Sequence, residues 1–488
     1  MTAMSSTPAA EATNDHSHGE REASRALLGK GSIYTLATAA QLAGALLVQP
    51  ALSRLLPKED YGRVALALVV TNLLGLLFTV GLPAVITREY FRTGGEPMAR
   101  VVSGIAAAIA VVAGAVAIAT GPLWGSALNG FDLALLLGTA TAITFSIITT
   151  GQALLRARSQ AGRFVLIVII NVVGGQVVGL AVISFFDPTA GRYLAGVAAG
   201  SLIGALLTLY WAKPASPRGV ERATLRGWFA IALPTVPHTA ALYLMNAGDR
   251  FVVEVQRGAQ QVAGYSLAYL VGSLGITLVA AANNAWAPLI YGASEESRWR
   301  VLSSTTRDMA QLAALLAGGL ALTAPLALWI MADPSKYDIG GLTPVVAFTA
   351  LATVPYVLYL ASAHVLFWTG KTKSLLWVTP LAAAVNLGAV ALVLPWGGLV
   401  GAALVSAGAY GLLALLIAGV RRKLAEVTWS GRGFAIAMSA AACTLGAVLP
   451  LNVYGHITRA VGVLILLVLA ARTAKHLLAS RRKMVAVD

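Results

Sequence analysis

Runs of about 20 apolar residues with almost no charge recur along this chain, each long enough for a helix to cross a bilayer. Fourteen are found, at roughly 31–53, 62–83, 101–121, 132–153, 163–186, 190–212, 228–247, 262–290, 308–332, 342–368, 374–394, 399–420, 432–450 and 457–478. Of the 488 residues, 58% are hydrophobic and only 11% charged, whereas an ordinary globular domain carries about 25% charge. A soluble fold has no means of covering that much apolar surface. The 49 glycines, with abundant alanine, suit helices that approach one another closely in lipid. The sequence therefore predicts an all-α polytopic membrane protein of about fourteen transmembrane helices. Pro234 and Pro237 interrupt the seventh span and are expected to bend it.

The charges set an orientation. With the amino terminus placed in the cytoplasm, 27 of the 35 Lys and Arg residues fall in segments on the cytoplasmic side and 8 on the outer side. Acids divide 12 to 8, so the whole net charge of +15 lies on one face. Such an excess reads as a topology signal and a contact with anionic headgroups, and no nucleic-acid partner is expected. The expected location is the plasma (inner) membrane, with both termini cytoplasmic.

Residues 1–28 are polar and rich in Ser, Thr and Ala, and read as a disordered cytoplasmic tail, not a signal peptide. His16 and His18 in that tail could form a metal tract or be simply solvated. A short tail, 479–488, follows the last span. The lone cysteine, Cys443, excludes a disulfide framework, an iron–sulfur site and a cysteine-based zinc site. No Walker A sequence occurs, and neither a cofactor nor a metal is expected.

An internal repeat is legible. SRLLPKEDYGRVALALVV from Ser53 parallels DRFVVEVQRGAQQVAGYSLAYLV from Asp249. Each has an arginine at the outer end of a helix, a charged loop, and a Tyr/Gly pair (Tyr61-Gly62, Gly264-Tyr265) opening the next span, which runs to Pro83 or Pro288. The offset is about 204 residues, or six spans. Because six is even, the two copies run parallel. This predicts an N-lobe over 29–213, a C-lobe over 228–420, and two appended spans over 432–478.

The stretch from Gly31 to Tyr90, and NAGDRFVVEV with GYSLAY from Asn246, resemble the signatures of the polysaccharide-transport family. That family comprises O-antigen and oligosaccharide type lipid flippases within the multidrug/oligosaccharidyl-lipid/polysaccharide exporter superfamily. The resemblance implies a V-shaped cavity bounded mainly by spans 1, 2, 7 and 8. It also implies alternating-access translocation of an isoprenoid-pyrophosphate-linked oligosaccharide for cell-surface polysaccharide synthesis. Expected partners are that substrate, membrane lipids and a glycan polymerase or export machinery.

Polar residues inside spans need reasons. Gln41, Gln49, Thr71 and Asn72 lie in spans 1 and 2, and His238, Asn246, Asn283 and Asn284 in spans 7 and 8. Interhelical hydrogen bonding accounts for such groups; lining a cavity is the other account, and Asn283 with Asn284 fits it best. Neutral amides suit hydroxyl-rich sugars. Five of the eight outer basic residues (Arg54, Lys58, Arg63, Arg250, Arg257) fall in the two repeat-related loops. Arg54 and Arg250, at the outer ends of opposite walls, are candidates for binding pyrophosphate, since a guanidinium matches phosphate geometry. Glu59, Asp60, Asp249 and Glu254 lie beside them, so salt-bridged loops are the plainer explanation. Arg88 is the candidate at the cytoplasmic mouth. Asp249, Glu89 and His364 are the candidates for energetic coupling; for His364, ordinary packing is the alternative.

Two further function classes fit the sequence less well. A multidrug-type cation antiporter of the same superfamily usually needs a buried acid in its first lobe, and spans 1–6 contain none. A glycosyltransferase or polymerase would need a sizeable outer loop with acidic motifs, and the loops here are short. The chain is expected not to be an enzyme.

Overall fold

The structure, a computed structural model, describes residues 44, 46–92 and 95–485, excepting the side chains of 474 and 476–485. Gln41, the tail over 1–28 and most of the first span lie outside the described residues. Every regular element among them is helical. That is what hydrocarbon demands, because a spanning segment must satisfy its peptide groups internally.

The first half comprises α1 (46–55), α2 (Lys58–Phe78), α3 (Leu82–Tyr90), α4 (Gly95–Ala119), α5 (Gly121–Gly125), α6 (Leu133–Ala157), α7 (Ala161–Val168), α8 (Gly175–Phe185) and α9 (Ala190–Ala212). A π-helical turn, Ile169–Gly174, joins α7 to α8. The second half runs through α10 (Arg222–Ala232), α11 (Thr235–Ala247), α12 (Asp249–Arg257), α13 (Ala259–Gly272), α14 (Leu274–Tyr291) and α15 (Arg298–Met331). It ends with α16 (Ile339–Leu351), α17 (Thr353–Trp368), α18 (Leu375–Arg421), α19 (Arg432–Val448) and α20 (Val453–Val485).

Among the described residues, eleven helices are long and apolar enough to cross a membrane. The other three expected spans are absent from that number for local reasons. The first lies mostly outside the described residues. Those expected at 374–394 and 399–420 form the single helix α18, turned only at Gly398, whose φ of 60° is left-handed. α19 has 17 residues, just short of a full crossing.

Several spans are broken, and the breaks share one device. Thr79, Thr235, Ser273 and Thr353 each stand at a break and donate their hydroxyl to a carbonyl three residues back: Leu76, Ala232, Leu270 and Ala350 respectively. The carbonyl released by the break thus keeps a partner, which is how an interrupted helix is tolerated in lipid. The two halves of the sequence repeat break differently. Pro83 opens α3 behind left-handed Gly81, whereas Pro288 lies inside α14 and the break there comes at Ser273.

Loops alternate between two ends of the bundle. At the first, Ala190 donates to Asp60, Arg63 pairs with Asp132, Asn129 with Glu254, Lys336 with the carbonyls of Arg54 and Leu56, and Arg257 with that of Pro395. Asp132, Thr189 and Asp338 cap the helices that start there. Asp333, between α15 and α16, is held below the usual carboxylate range by hydrogen bonds from the Ser335 hydroxyl and amide. At the second end, Arg158 pairs with Glu96, Arg100 donates to Lys213 and Ser303 to Thr428. These are called below the Arg54 end and the Arg88 end.

In the first half α6 packs among α2, α4 and α9, and α8 lies on α9 through Gly175, Gly179, Gly196 and Gly200. A Cβ on Gly200 would collide with the Gly175 backbone, so these helices meet main chain to main chain. In the second half α18 packs on α11, α12, α16 and α17, while α15 carries α19 and α20 on its outer side. The halves meet at the Arg54 end, where α2 packs on α13 in one apolar cluster containing Leu56, Tyr61, Val64, Val262, Tyr265 and Tyr269. Toward the Arg88 end α14 packs chiefly on α15 and α17, leaving Ala281, Ala282 and Asn284 exposed. The halves are thus packed together at the Arg54 end, while α14 packs chiefly within the second half; the space between them is called the cleft below.

The seventh span crosses between the halves. Its first part, α10, packs on α3 through Trp228 and Ala232, and its second part, α11, packs on α18 and α2. The bend falls at Leu233–Pro234, where the proline content of the sequence places it.

The α2–α13 contact gives a testable result. A Cβ on Gly62 would overlap the carbonyl of Ala259. Gly62→Ala should therefore destabilise the protein by about 1–3 kcal/mol. Gly227→Ala, in open space on α10, should be neutral or stabilising by about 0.4–1 kcal/mol. Thermal denaturation of the detergent-solubilised protein reads both; equal melting temperatures for the two variants would refute the close contact.

Candidate functional site

The end of α11 is where charge enters the apolar interior. Gly248 interrupts the helix with its N–H still bonded to Leu244, and α12 restarts with Asp249 and Arg250 turned inward. Asp249 is fully buried and Arg250 is 9% exposed. An isolated buried ion would be prohibitive, so these two survive because each is paired and hydrogen-bonded.

The Asp249 carboxylate accepts from the Tyr265 hydroxyl at 2.5 Å and from Ser406 at 3.4 Å, and pairs with Arg250 at 3.3 Å. Arg250 donates through Nε to Ser266 at 3.2 Å and through Nη1 to the Asn246 carbonyl at 3.2 Å. Its guanidinium carbon lies 4.5 Å from the centre of the Tyr269 ring, a cation–π contact. Among the described residues Nη2 makes no hydrogen bond. Tyr265 and Tyr269, one helical turn apart, thus serve the two partners of one ion pair. Both were quoted in the sequence as part of GYSLAY; their i, i+4 spacing was the available signal, and their role went unread.

Within the first half Tyr61 donates to Gln49, and between the halves Tyr243 of α11 donates to the Val69 carbonyl of α2 at 3.3 Å. Asn246 lends its carbonyl to Arg250, and its side chain is hydrogen-bonded with Tyr410. Thr71 donates to Gly138, and Asn72 to the Leu68 carbonyl of its own helix; His238 is within 2.8 Å of Thr379. These three fit the interhelical and intrahelical bonding account.

Arg54 and Arg250 are not brought together as facing arginines. Arg54 is exposed, and its guanidinium donates to the carbonyls of Pro50, Ile330 and Trp329. The terminal carbonyls of α15 lack partners of their own, and a cation there satisfies them. Arg257 likewise donates to Leu394 and Pro395, Arg63 is salt-bridged to Glu59 and Asp132, and Lys58 lies over Tyr337.

Toward the Arg88 end, the Asn283 side-chain oxygen accepts from His364 Nε2 at 3.0 Å, and the other ring nitrogen of His364 meets the Tyr291 hydroxyl at 3.0 Å. His364 also stands edge-on to Trp286. Asn283 is thereby held against the second half while its neighbour Asn284 is exposed. Arg88, in the last turn of α3, is half-buried, and among the described residues makes no ion pair with Glu89. Sequence reasoning did not connect Asn283 with His364, because 81 residues separate them.

At the Arg54 end a cavity of about 420 Å³ lies between the halves, lined by Glu59, Arg63, Asp132, Glu254 and Arg257 among others. Asn129 donates to the Glu254 side chain at 2.9 Å across it. This is a polar clasp between the halves on the closed side of the cleft.

Residues 27–293 match the family described as polysaccharide biosynthesis protein, more than half of the chain, and the chain belongs to that family. Its fold is that of transporters of the MOP superfamily. The lipid II flippase MurJ in an inward closed conformation superposes with a TM-score of 0.69 at 12% identity, covering 91% of this chain and 99% of that one. An inward-facing multidrug resistance MATE transporter gives 0.61 at 15% identity, covering 83% and 96%. A MOP superfamily transporter from Pyrococcus furiosus gives 0.57 at 14% identity, covering 82% and 95%. No curated protein matches the chain in sequence.

The Tyr265 hydroxyl is the shortest bond to the buried carboxylate, so Tyr265→Phe should cost about 1–3 kcal/mol, more than Ser406→Ala. Melting temperatures of the purified variants check the order. Equal effects would mean that the tyrosine bond is not what holds Asp249.

Proposed function

We propose that the chain flips an isoprenoid-pyrophosphate-linked oligosaccharide across the plasma membrane by alternating access, supplying cell-surface polysaccharide synthesis. The observation that carries this reading is a buried arginine, Arg250, beside halves that pack together at the Arg54 end while α14 packs chiefly within the second half. Membership of a polysaccharide biosynthesis family supports it. In this reading Arg88 meets the pyrophosphate at the mouth, Asn283 and Asn284 offer amides to sugar hydroxyls, and Arg250 provides a charge deep in the cleft. Arg54, committed to helix-end carbonyls, holds the closed side together.

A cation antiporter is the competing reading. Acids in the first half argue against it: Glu59, Asp60, Glu89, Glu96, Asp132 and Asp187 all stand at helix ends or in loops. None is an interior anion for a cationic substrate.

Purified protein in liposomes should translocate such a lipid-linked glycan, and Arg250→Ala should slow it by about ten- to a hundredfold, the worth of a hydrogen bond to charge. Arg250→Lys should be intermediate, since it keeps the charge without the planar fork. Full transport by an Asp249→Ala/Arg250→Ala double variant at normal expression would show the pair to be structural. Cation efflux with no glycan movement would replace the flippase reading altogether.

The orientation proposed with it places the Arg88 end and both termini in the cytoplasm. Reporter fusions after Lys213 and Lys483 should both report cytoplasmic, and one after Lys336 should report the outer side. Any reversal among the three overturns that orientation.

A further inference from the structure

We propose that the turn joining α18 to α19 is a binding site for a phosphate-bearing group at the Arg88 end, separate from the cleft. This inference does not depend on the transport reading. Residues 421–432 read RRKLAEVTWSGR, and they put Arg421, Arg422 and Arg432 on the wall of one cavity of about 500 Å³. Three guanidinium groups around a common space repel one another. Among the described residues none of the three makes an ion pair. Glu426 also lines the cavity, but it is exposed and bonded to none of them.

Buried donors on the same wall supply a second, independent observation. Arg421 is 3% exposed; it donates through Nη1 to the Val427 carbonyl and lies 4.7 Å from the Trp429 ring, yet among the described residues its Nε has no partner. Trp429, 5% exposed, has an indole N–H that likewise lacks an acceptor among the described residues. Buried donors of this kind are uncommon in a folded chain and call for an oxygen from elsewhere. The 17-residue helix α19 begins beside them, with left-handed Gly431 at its N-cap and no side chain capping the first amides. Its positive dipole end adds to the same field.

The chemistry these groups share selects the ligand. Guanidinium forks, an indole N–H and the hydroxyls of Thr428 and Ser430 are donors that suit a tetrahedral oxyanion with several free oxygens. A turn between two lipid-embedded helices also lies near the level of phospholipid headgroups. The shared chemistry is a phosphate ester or pyrophosphate, and its source is either an anionic phospholipid or a soluble phosphate. Occupancy would bear on the cleft, because Val427 and Trp429 pack in one cluster with Val279, Trp286 and Ile290 of α14.

The test is binding by the purified full-length protein in neutral detergent, read as saturable thermal stabilisation. Phosphatidylglycerol in mixed micelles and inorganic pyrophosphate are titrated separately, with phosphatidylcholine as the zwitterionic reference. Arg422→Gln/Arg432→Gln removes two exposed cavity cations, so folding should persist. Lys371→Gln/Lys373→Gln removes two from the same end outside the cavity. The expected result is saturation by at least one probe, weakened about tenfold or more in the arginine variant and unchanged in the lysine variant. A response to phosphatidylglycerol alone assigns a lipid headgroup, to pyrophosphate alone a soluble phosphate, and to both a general phosphate site. No saturable response to either probe, or an equal loss in the lysine variant, overturns the proposal.

Discussion

A peptide group in hydrocarbon has no water to turn to, and this requirement shapes four of the departures from straight helix in the protein. The spans at 79–81, 233–234, 273 and 352 are all broken, and each break carries a Thr or Ser whose hydroxyl returns to a carbonyl three residues earlier. The breaks are therefore solvated from within. They also fall where the architecture needs a change of direction: between α10 on the first half and α11 on the second, and at the start of the portion of α14 that lines the cleft.

The same economy governs charge. At the Arg54 end the arginines and Lys336 are spent on helix-end carbonyls or neighbouring carboxylates, so that end is tied shut by polar bonds laid over an apolar seal. Among the described residues, Asp249 and Arg250 form the buried ion pair in which neither side chain is exposed, and four side chains attend them: Tyr265, Tyr269, Ser266 and Ser406. Pairing alone would not offset desolvation at that depth; the hydroxyls complete the coordination. At the Arg88 end the balance changes. Among the described residues, Arg88 and the arginines of the α18–α19 turn form no ion pair, which leaves them available to anions.

Packing and charge thus agree on a direction. The end where the halves pack together has its cations answered by the protein itself, and the Arg88 end holds arginines that form no ion pair among the described residues. In the proposed flippase reading, an anionic headgroup entering from the Arg88 end would meet Arg88 first and the shielded Arg250 last. In the same reading the Asn129–Glu254 clasp and the α2–α13 contact would have to separate for the opposite face to open.

Much of this was legible in the sequence. Apolar runs and the alternation of basic loops fix the helical class, the division of loops between two ends and the bend at Pro234, because hydrophobic length, charge bias and proline geometry act locally. Composition likewise marked Asn283, Asn246 and Arg250 as polar residues in need of reasons. What it left undecided was which partner each would find. Arg54 and Arg250 look equivalent in the repeat, yet one caps α15 while the other stacks on Tyr269. Asn283 and His364 meet across 81 residues, and the orphan nitrogens of Arg421 and Trp429 follow from how one short turn packs on α14. A side chain's character is written in its own residue; its electrostatic role depends on which dipoles the tertiary fold brings within about 3 Å, and distances of that kind between remote segments exist only once the helices have packed.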